Sequence, residues 1–141
     1  MQIVDADQKQ IGEVADLTGL SLRTIRYYEE MGLIAPSART QGGFRLYADA
    51  DVERLLLIKR MKPLEFSLDQ MREVLETLDE VDAPGTGDRD REELLARLDM
   101  FRLAAEERCS SLRTQLEAAE GFAQSLSGTI RRQQRSTGQP R

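Results

Sequence analysis

Histidine and tryptophan are absent from this 141-residue chain, and Cys109 is its one cysteine. Without histidine there is no ordinary acid–base side chain for neutral pH, and neither a nucleophile elbow nor a phosphate loop occurs, so the sequence does not read as an enzyme. Gly85-Thr86-Gly87 resembles the start of a dinucleotide fingerprint, but Asp90 holds the third glycine position and no strand precedes it, so it reads as a linker. One cysteine cannot close an internal disulfide, which fits a reducing cytoplasm. It also supplies too few soft ligands for zinc, copper, mercury or an iron–sulfur cluster, and no metal or cofactor is expected. No apolar run approaches the roughly 18 residues needed to span a bilayer. The leader Met1–Asp7 has no basic start and no apolar centre, so no secretory signal is read and a cytoplasmic location is expected. Aromatic residues make up only 5% against 40% hydrophobic overall, so any core is built mainly from leucine. The length suits one ordinary domain, or a small domain with a long appendage.

Charge is unevenly spread. The net charge is −5, yet residues 23 to 62 carry eight basic residues (23, 26, 39, 45, 54, 59, 60, 62) against five acidic ones (29, 30, 49, 51, 53). Residues 63 to 80 carry one basic and six acidic residues. Phosphate neutralisation drives non-specific binding to DNA. An acidic chain with one locally basic face should therefore bind random DNA weakly and leave specificity to geometry and base contacts.

The stretch Ile11–Tyr47 reads as helix, turn, helix and hairpin. Residues 1 to 8 are polar and patternless, an expected loose arm. Ile11, Val14, Ala15 and Leu17 give a short helical stripe that Gly19 ends. Ser21 is placed to cap the next helix, which should run to about Met31 before Gly32 stops it, with Pro36 barring re-entry. The spacing is that of a helix-turn-helix, which puts its second helix in the major groove. Behind it, Arg39 and Arg45 flank a Gln41-Gly42-Gly43 turn. A further helix opens at Asp49 or Asp51, where a carboxylate suits the dipole, carries Val52, Leu55, Leu56 and Lys59 on one face with Leu57 and Ile58 widening it, and breaks at Pro63. Another, capped by Ser67, repeats Leu68, Met71, Val74, Leu75 and Leu78. Residues 81–87 are a linker by composition.

From Asp88 to about Ser127 there is no proline and one glycine, Gly121. Leu98, Ala105, Leu112, Ala119 and Leu126 fall seven apart, with Leu94, Phe101 and Phe122 in the companion position. Arg108 and Gln115 interrupt that companion row, and the apolar residues shift one place on, to Cys109, Leu116 and Ala123. Such a drift is what a nearly straight helix gives against a strict heptad. A long helix with one apolar stripe has too little of its own chain to cover it and wants a partner, here a second copy. The expected dimer contacts are Leu94, Leu98, Phe101, Ala105, Leu112, Leu116, Ala119 and Leu126. Residues 128–141 are polar, with four arginines, and read as a disordered tail.

On the second helix Arg23, Arg26 and Tyr27 share one face by their three- and four-residue spacing. Arginine's planar fork matches guanine edges and phosphates. Tyr27 and Tyr28 can donate to phosphates or pack against sugar, although Tyr28 lies beside the core-facing row of Ile25. The alternative, solvated arginines over a tyrosine-lined core, is the better reading for an arbitrary helix but not for one set between a tight turn and a hairpin.

Four segments, TIRYYEEMGLI at 24 to 34, GGFRLY at 42 to 47, DVERLLLIKRMK at 51 to 62 and FSLDQM at 66 to 71, occur in order at compact spacing. Together they resemble the MerR family of bacterial transcription regulators, over roughly residues 11 to 80. The resemblance implies that Arg23 and Arg26 face the major groove, that Tyr27 and Tyr28 touch DNA or its backbone, and that Arg39, Phe44, Arg45 and Tyr47 form a wing on flanking phosphates. With Ser21, Thr24 and Gly43 these make up the expected DNA-binding set. Phe44 stands where the family often has tyrosine, and Glu65 where it usually has glycine, at a turn that wants positive φ. The resemblance also implies activation by bending and untwisting a promoter whose elements are set too far apart, with RNA polymerase as a partner. The metal-sensing branch uses cysteines and sometimes histidine that are lacking here. The drug-sensing branch carries a ligand domain for which about fourteen residues after the long helix leave no room. Cys109, beside Arg108, is either a thiol sensor or a packed small hydrophobe.

The expected architecture is mainly α: a winged helix-turn-helix DNA-binding domain at 9–80, the linker at 81–87, a dimerising coiled-coil helix at 88–127 and the tail at 128–141. The expected function is a dimeric, sequence-specific transcription regulator acting on double-stranded operator DNA. Two rivals stand beside it, an effector-independent repressor or activator and a coiled-coil adaptor whose winged domain binds protein. No residue identifies an effector.

Overall fold

The computed structural model describes residues 8–138 and divides into two compact units, one ending at Asp99 and the other beginning at Met100. The expected arm at residues 1–8 lies outside the described residues except for Gln8, as do residues 139–141 of the expected tail.

In the first unit the chain runs β1 (Lys9–Gln10), α1 (Ile11–Thr18), α2 (Leu22–Glu30), β2 (Ala38–Arg39), β3 (Arg45–Tyr47), α3 (Asp49–Met61), a 3₁₀ turn (Lys62–Leu64) and α4 (Leu68–Asp82). α5 (Asp88–Gly138) begins there and continues into the second unit. The sheet is antiparallel with β3 in the centre: Lys9 faces Tyr47 and Gln10 faces Leu46 on one side, while Ala38 faces Leu46 and Arg39 faces Arg45 on the other. The hairpin is legible in the sequence. β1 is not, because two residues are too few to show alternation.

Each helix begins and ends for a local reason. Ser21 Oγ accepts from the Thr24 amide at 3.1 Å, and Ser67 Oγ from the Gln70 amide at 3.1 Å while Gln70 Oε1 accepts from the Ser67 amide at 2.9 Å. Asp51 accepts from the Ala48 amide at 2.9 Å, so the carboxylate that opens α3 is Asp51, with Asp49 paired instead to Lys9 at 2.7 Å. Gly19 and Gly32 stop α1 and α2 in the left-handed region, at φ 72° and 76°. Pro63 stands just beyond the end of α3. Glu65, at φ 60°, is the one non-glycine described residue with positive φ, at the turn where the family usually places glycine.

The core gathers Val14, Ile25, Leu33, Leu46, Tyr47, Leu55, Ile58, Met61, Met71 and Leu75. Two stripes differ from expectation. Leu17 is exposed and Thr18, four residues after Val14, takes the buried place, its hydroxyl satisfied by donating to Val14 O at 2.8 Å. On α3 the buried row is Leu55, Ile58 and Met61, so Ile58 is central to that face, not marginal.

Two expectations for the C-terminal helix are corrected. α5 runs through Gly138, so residues 128–138 are helical instead of a disordered tail. Arginine and glutamine are good helix formers, no proline lies between Pro84 and Pro140, and Ile130 extends by one more heptad the row of Cys109, Leu116 and Ala123. Leu94 is buried within its own unit and so is not available to a partner copy. Periodicity on one helix shows that a stripe must be covered, but not by what. Farther along, Leu116, Phe122, Leu126 and Ile130 are exposed, while Leu98, Phe101, Ala105 and Leu112 are half-buried.

Candidate nucleic-acid interface

The turn between α1 and α2 is held from three sides. The Gly19 amide donates to Ala15 O at 2.9 Å, the Leu20 amide to Thr18 Oγ1 at 3.2 Å, and Lys59 Nζ on α3 to Thr18 O at 2.8 Å. A cation on the last carbonyls of α1 complements its dipole. α2 is then anchored through Ile25 and Tyr28, both buried. That leaves Arg23, Arg26 and Tyr27 on the outward side, all exposed. Neither Arg23 nor Arg26 has a hydrogen bond or ion pair among the described residues. Arg23, Thr24, Tyr27 and Tyr28 line one open concavity of about 300 Å³, together with Lys62 from the 3₁₀ turn. In the sequence Lys62 is one of eight basic residues from 23 to 62, with no local pattern that sets it beside α2. Its proximity comes from the end of α3, a segment distant in sequence whose last turn reaches the surface beside α2.

The structure places some expected residues elsewhere. Tyr28 points inward, its ring centroid 5.9 Å from that of Tyr27, and burial, then Tyr27, pushes its hydroxyl above the usual phenol range. Tyr47 is fully buried on the central strand, so its side chain belongs to the core and not to an exposed wing. Its hydroxyl donates to Glu29 Oε2 at 3.2 Å. Burial, then the Glu29 charge and hydrogen bond, push Tyr47 up to about 12, against the opposing pull of Arg45 and Arg39. Ser21 and Thr24 are occupied with each other and the helix start: Ser21 Oγ donates to Thr24 Oγ1 at 2.8 Å.

The wing arginines are not free cations. Arg45 Nε lies 2.6 Å from Glu29 Oε2, an ion pair whose angle is unsuited to a hydrogen bond, and Arg39 Nη2 lies 3.5 Å from Glu29 Oε1. Glu29, in the last turn of α2, therefore joins that helix to β2 and β3 at once. Sequence reading missed it, because its partners lie ten to eighteen positions away and nothing local marks them. At the hairpin tip the Gly43 amide donates to Thr40 O at 2.9 Å, and Gly43 takes φ 84°. Arg39 Nη1 donates to Gly43 O at 3.2 Å. Phe44 projects into solvent with 65% of its surface exposed. The two groups are thus distinct: Arg23, Arg26 and Tyr27 on the outer face of α2, and Arg39, Arg45 and Phe44 on the hairpin, with Glu29 between. Other basic groups of the domain are partly spent inside the fold. Arg54 donates to Leu33 O at 2.7 Å and pairs with Asp79 at 3.0 Å, and Arg72 donates to Met31 O.

A capped second helix with exposed arginines, beside a three-stranded sheet ending in a hairpin, is a winged helix-turn-helix domain. Residues 10–78 match the model of the MerR HTH family regulatory proteins. Residues 10–78, just under half of the chain, thus carry a MerR-type domain. The mercuric resistance operon regulatory protein of Bacillus cereus is 45% identical over 74 residues, 52% of this chain and 56% of that protein. A solved MerR family regulator from Listeria monocytogenes is 25% identical with a TM-score of 0.61, over 92% of this chain and 93% of that one. HiNmlR, a MerR family regulator described as lacking the sensor domain and solved bound to promoter DNA, shares the fold at 22% identity and a TM-score of 0.58, over 92% and 93% of the two chains. All three are named as regulators and none as an enzyme. The chain spans between 26% and 56% of the length of the curated relatives it matches. Among the described residues no helix is long and apolar enough to cross a membrane, and no group of three or more His, Cys, Asp or Glu side chains is placed to hold a metal.

Proposed function

We propose that this protein is a dimeric, cytoplasmic, sequence-specific transcription regulator that binds double-stranded operator DNA, with α2 in the major groove. The observation that carries the proposal is that Arg23 and Arg26 stand exposed, with no partner among the described residues, on a helix fixed from behind by Ile25 and Tyr28. A guanidinium held without an internal carboxylate keeps both donors available for a guanine edge or a phosphate. Tyr27, Phe44 and the hairpin arginines extend the contact onto sugar and phosphate, and Lys62 adds a cation beside Arg23. The apolar stripe of α5, from Leu98 through Ile130, is the dimer contact, its period being that of a two-stranded helical pair.

Two such domains tied by paired helices have a fixed separation, which suits a regulator that deforms promoter DNA for RNA polymerase. Bending and untwisting a site of about 20–30 base pairs costs on the order of 1–6 kcal/mol, repaid by added backbone contacts. The test is transcription from the target promoter with one or two base pairs deleted from its spacer. Transcription should then become independent of the protein, or be repressed by it. Continued dependence at the shortened spacing would replace distortion with ordinary recruitment of polymerase.

A further inference from the structure

Among the described residues Glu29 is the one carboxylate paired with both arginines of the hairpin. Its side chain is only 15% exposed, and it faces Arg39, Arg45 and the Tyr47 hydroxyl from the last turn of the same helix that carries Arg23 and Arg26. The hairpin strands contribute no carboxylate of their own. Two consequences follow from elementary electrostatics. The wing arginines cannot swing freely, since each is attracted to a fixed point on α2. The cluster also carries one net positive charge instead of two, which weakens its pull on phosphate wherever the base contacts are absent.

We propose that Glu29 is a positioning residue for DNA recognition: it ties Arg39 and Arg45 to α2, so that phosphate contacts by the wing form in register with base contacts by Arg23 and Arg26, while it holds down binding to random sequence. The inference rests on the DNA-reading role of α2 proposed above. Glu29 touches no DNA in this account. It acts through the two arginines, so its removal should raise indiscriminate binding and not simply abolish binding.

The experiment measures affinity of the full-length protein for its selected genomic site and for a random duplex, each across a series of salt concentrations. Glu29→Gln removes the charge but keeps the side chain's size. Random-sequence binding should become several-fold tighter, with a salt slope steeper by about one, and the ratio of specific to random affinity should fall. Glu30→Gln removes the same formal charge from an exposed neighbour with no arginine partner among the described residues, and should change the ratio less than twofold. Glu29→Asp keeps the charge but shortens its reach: random binding should stay near wild type while binding to the selected site falls. If Glu29→Gln does not fold, the aspartate variant decides alone. Equal loss on both duplexes would show a purely structural role, and matching effects of Glu29→Gln and Glu30→Gln would show only bulk charge; either overturns the proposal. Wild-type protein with no preference for any site would instead overturn the DNA-reading role itself, an outcome distinguishable from both.

Discussion

Gly19 and Gly12 are two glycines of the same short helical segment, and changing each to alanine should move stability in opposite directions. Gly19 sits at φ 72°, where a side chain is strained, and a Cβ built there would lie 3.0 Å from Lys59 Nζ. That ammonium donates to Thr18 O at 2.8 Å. Left-handed backbone costs a non-glycine residue roughly 1–2 kcal/mol. Displacing a charge-assisted hydrogen bond at a partly exposed site adds about 1 kcal/mol. Gly19→Ala should therefore destabilise the fold by about 2–3 kcal/mol, or about 8–24 °C in melting temperature for a domain of this size. Gly12, by contrast, lies inside α1 with nothing within 4 Å of a new Cβ and without a positive φ. There alanine should stabilise by about 0.5–1 kcal/mol, because it lowers the entropy lost on folding. Thermal melts of both variants and wild type, followed by circular dichroism at one protein concentration, make the comparison. The fixed concentration matters because an associating chain melts in a concentration-dependent way. A Gly19→Ala protein within about 0.5 kcal/mol of wild type would refute the role assigned to the turn and to Lys59.

Arg23→Ala or Arg26→Ala should cost roughly 1–3 kcal/mol on the selected site and relax preference at one base pair, read by titrating single-base variants of that site. Equal losses on selected and random DNA would count against groove reading. Replacing Leu98, Leu112 and Leu116 together by glutamate should give monomers that no longer bind operator; wild type sedimenting as a monomer at micromolar concentration would contradict the pairing of α5. The Tyr47 hydroxyl has an ordinary value of 10.0 and is held at about 12 in the fold. A raised folded value means that its contribution is fully present below pH 10 and lost as pH climbs from about 10 to 12. Urea melts of Tyr47→Phe should show a shallower decline of stability across that window than wild type, and identical slopes would remove the tyrosine from the explanation.

The features legible in the sequence are those decided within a few residues. Ser21 and Ser67 announce helix starts because their oxygens meet amides three positions on, and Gly19, Gly32 and Pro63 announce stops through their own backbone limits. The exposed arginines of α2 are legible for the same reason, as spacing alone puts Arg23, Arg26 and Tyr27 on one face. Long-range placement is not legible in this way. Tyr28 and Tyr47 look like polar contact residues until packing shows their rings inside, one beside Ile25 on the inner face of α2 and the other on the central strand. Glu29 reads as one more charge on a solvated helix, and only the fold brings Arg39, Arg45 and Tyr47 to it. At the C-terminus, polarity suggested disorder where helix propensity prevailed, since a chain rich in arginine and glutamine can satisfy its backbone in α5 without a buried face.

The central claim is that the outward face of α2 reads a DNA sequence, and selection of bound fragments from sheared genomic DNA tests it most directly. Wild-type protein should enrich a short, pseudo-palindromic site, because two copies paired through α5 would read two half-sites related by twofold symmetry. A protein with both Arg23 and Arg26 changed to alanine should lose that enrichment while remaining folded. Recovery of fragments without a shared site by the wild-type protein, or enrichment of the same site by the double variant, would contradict the account.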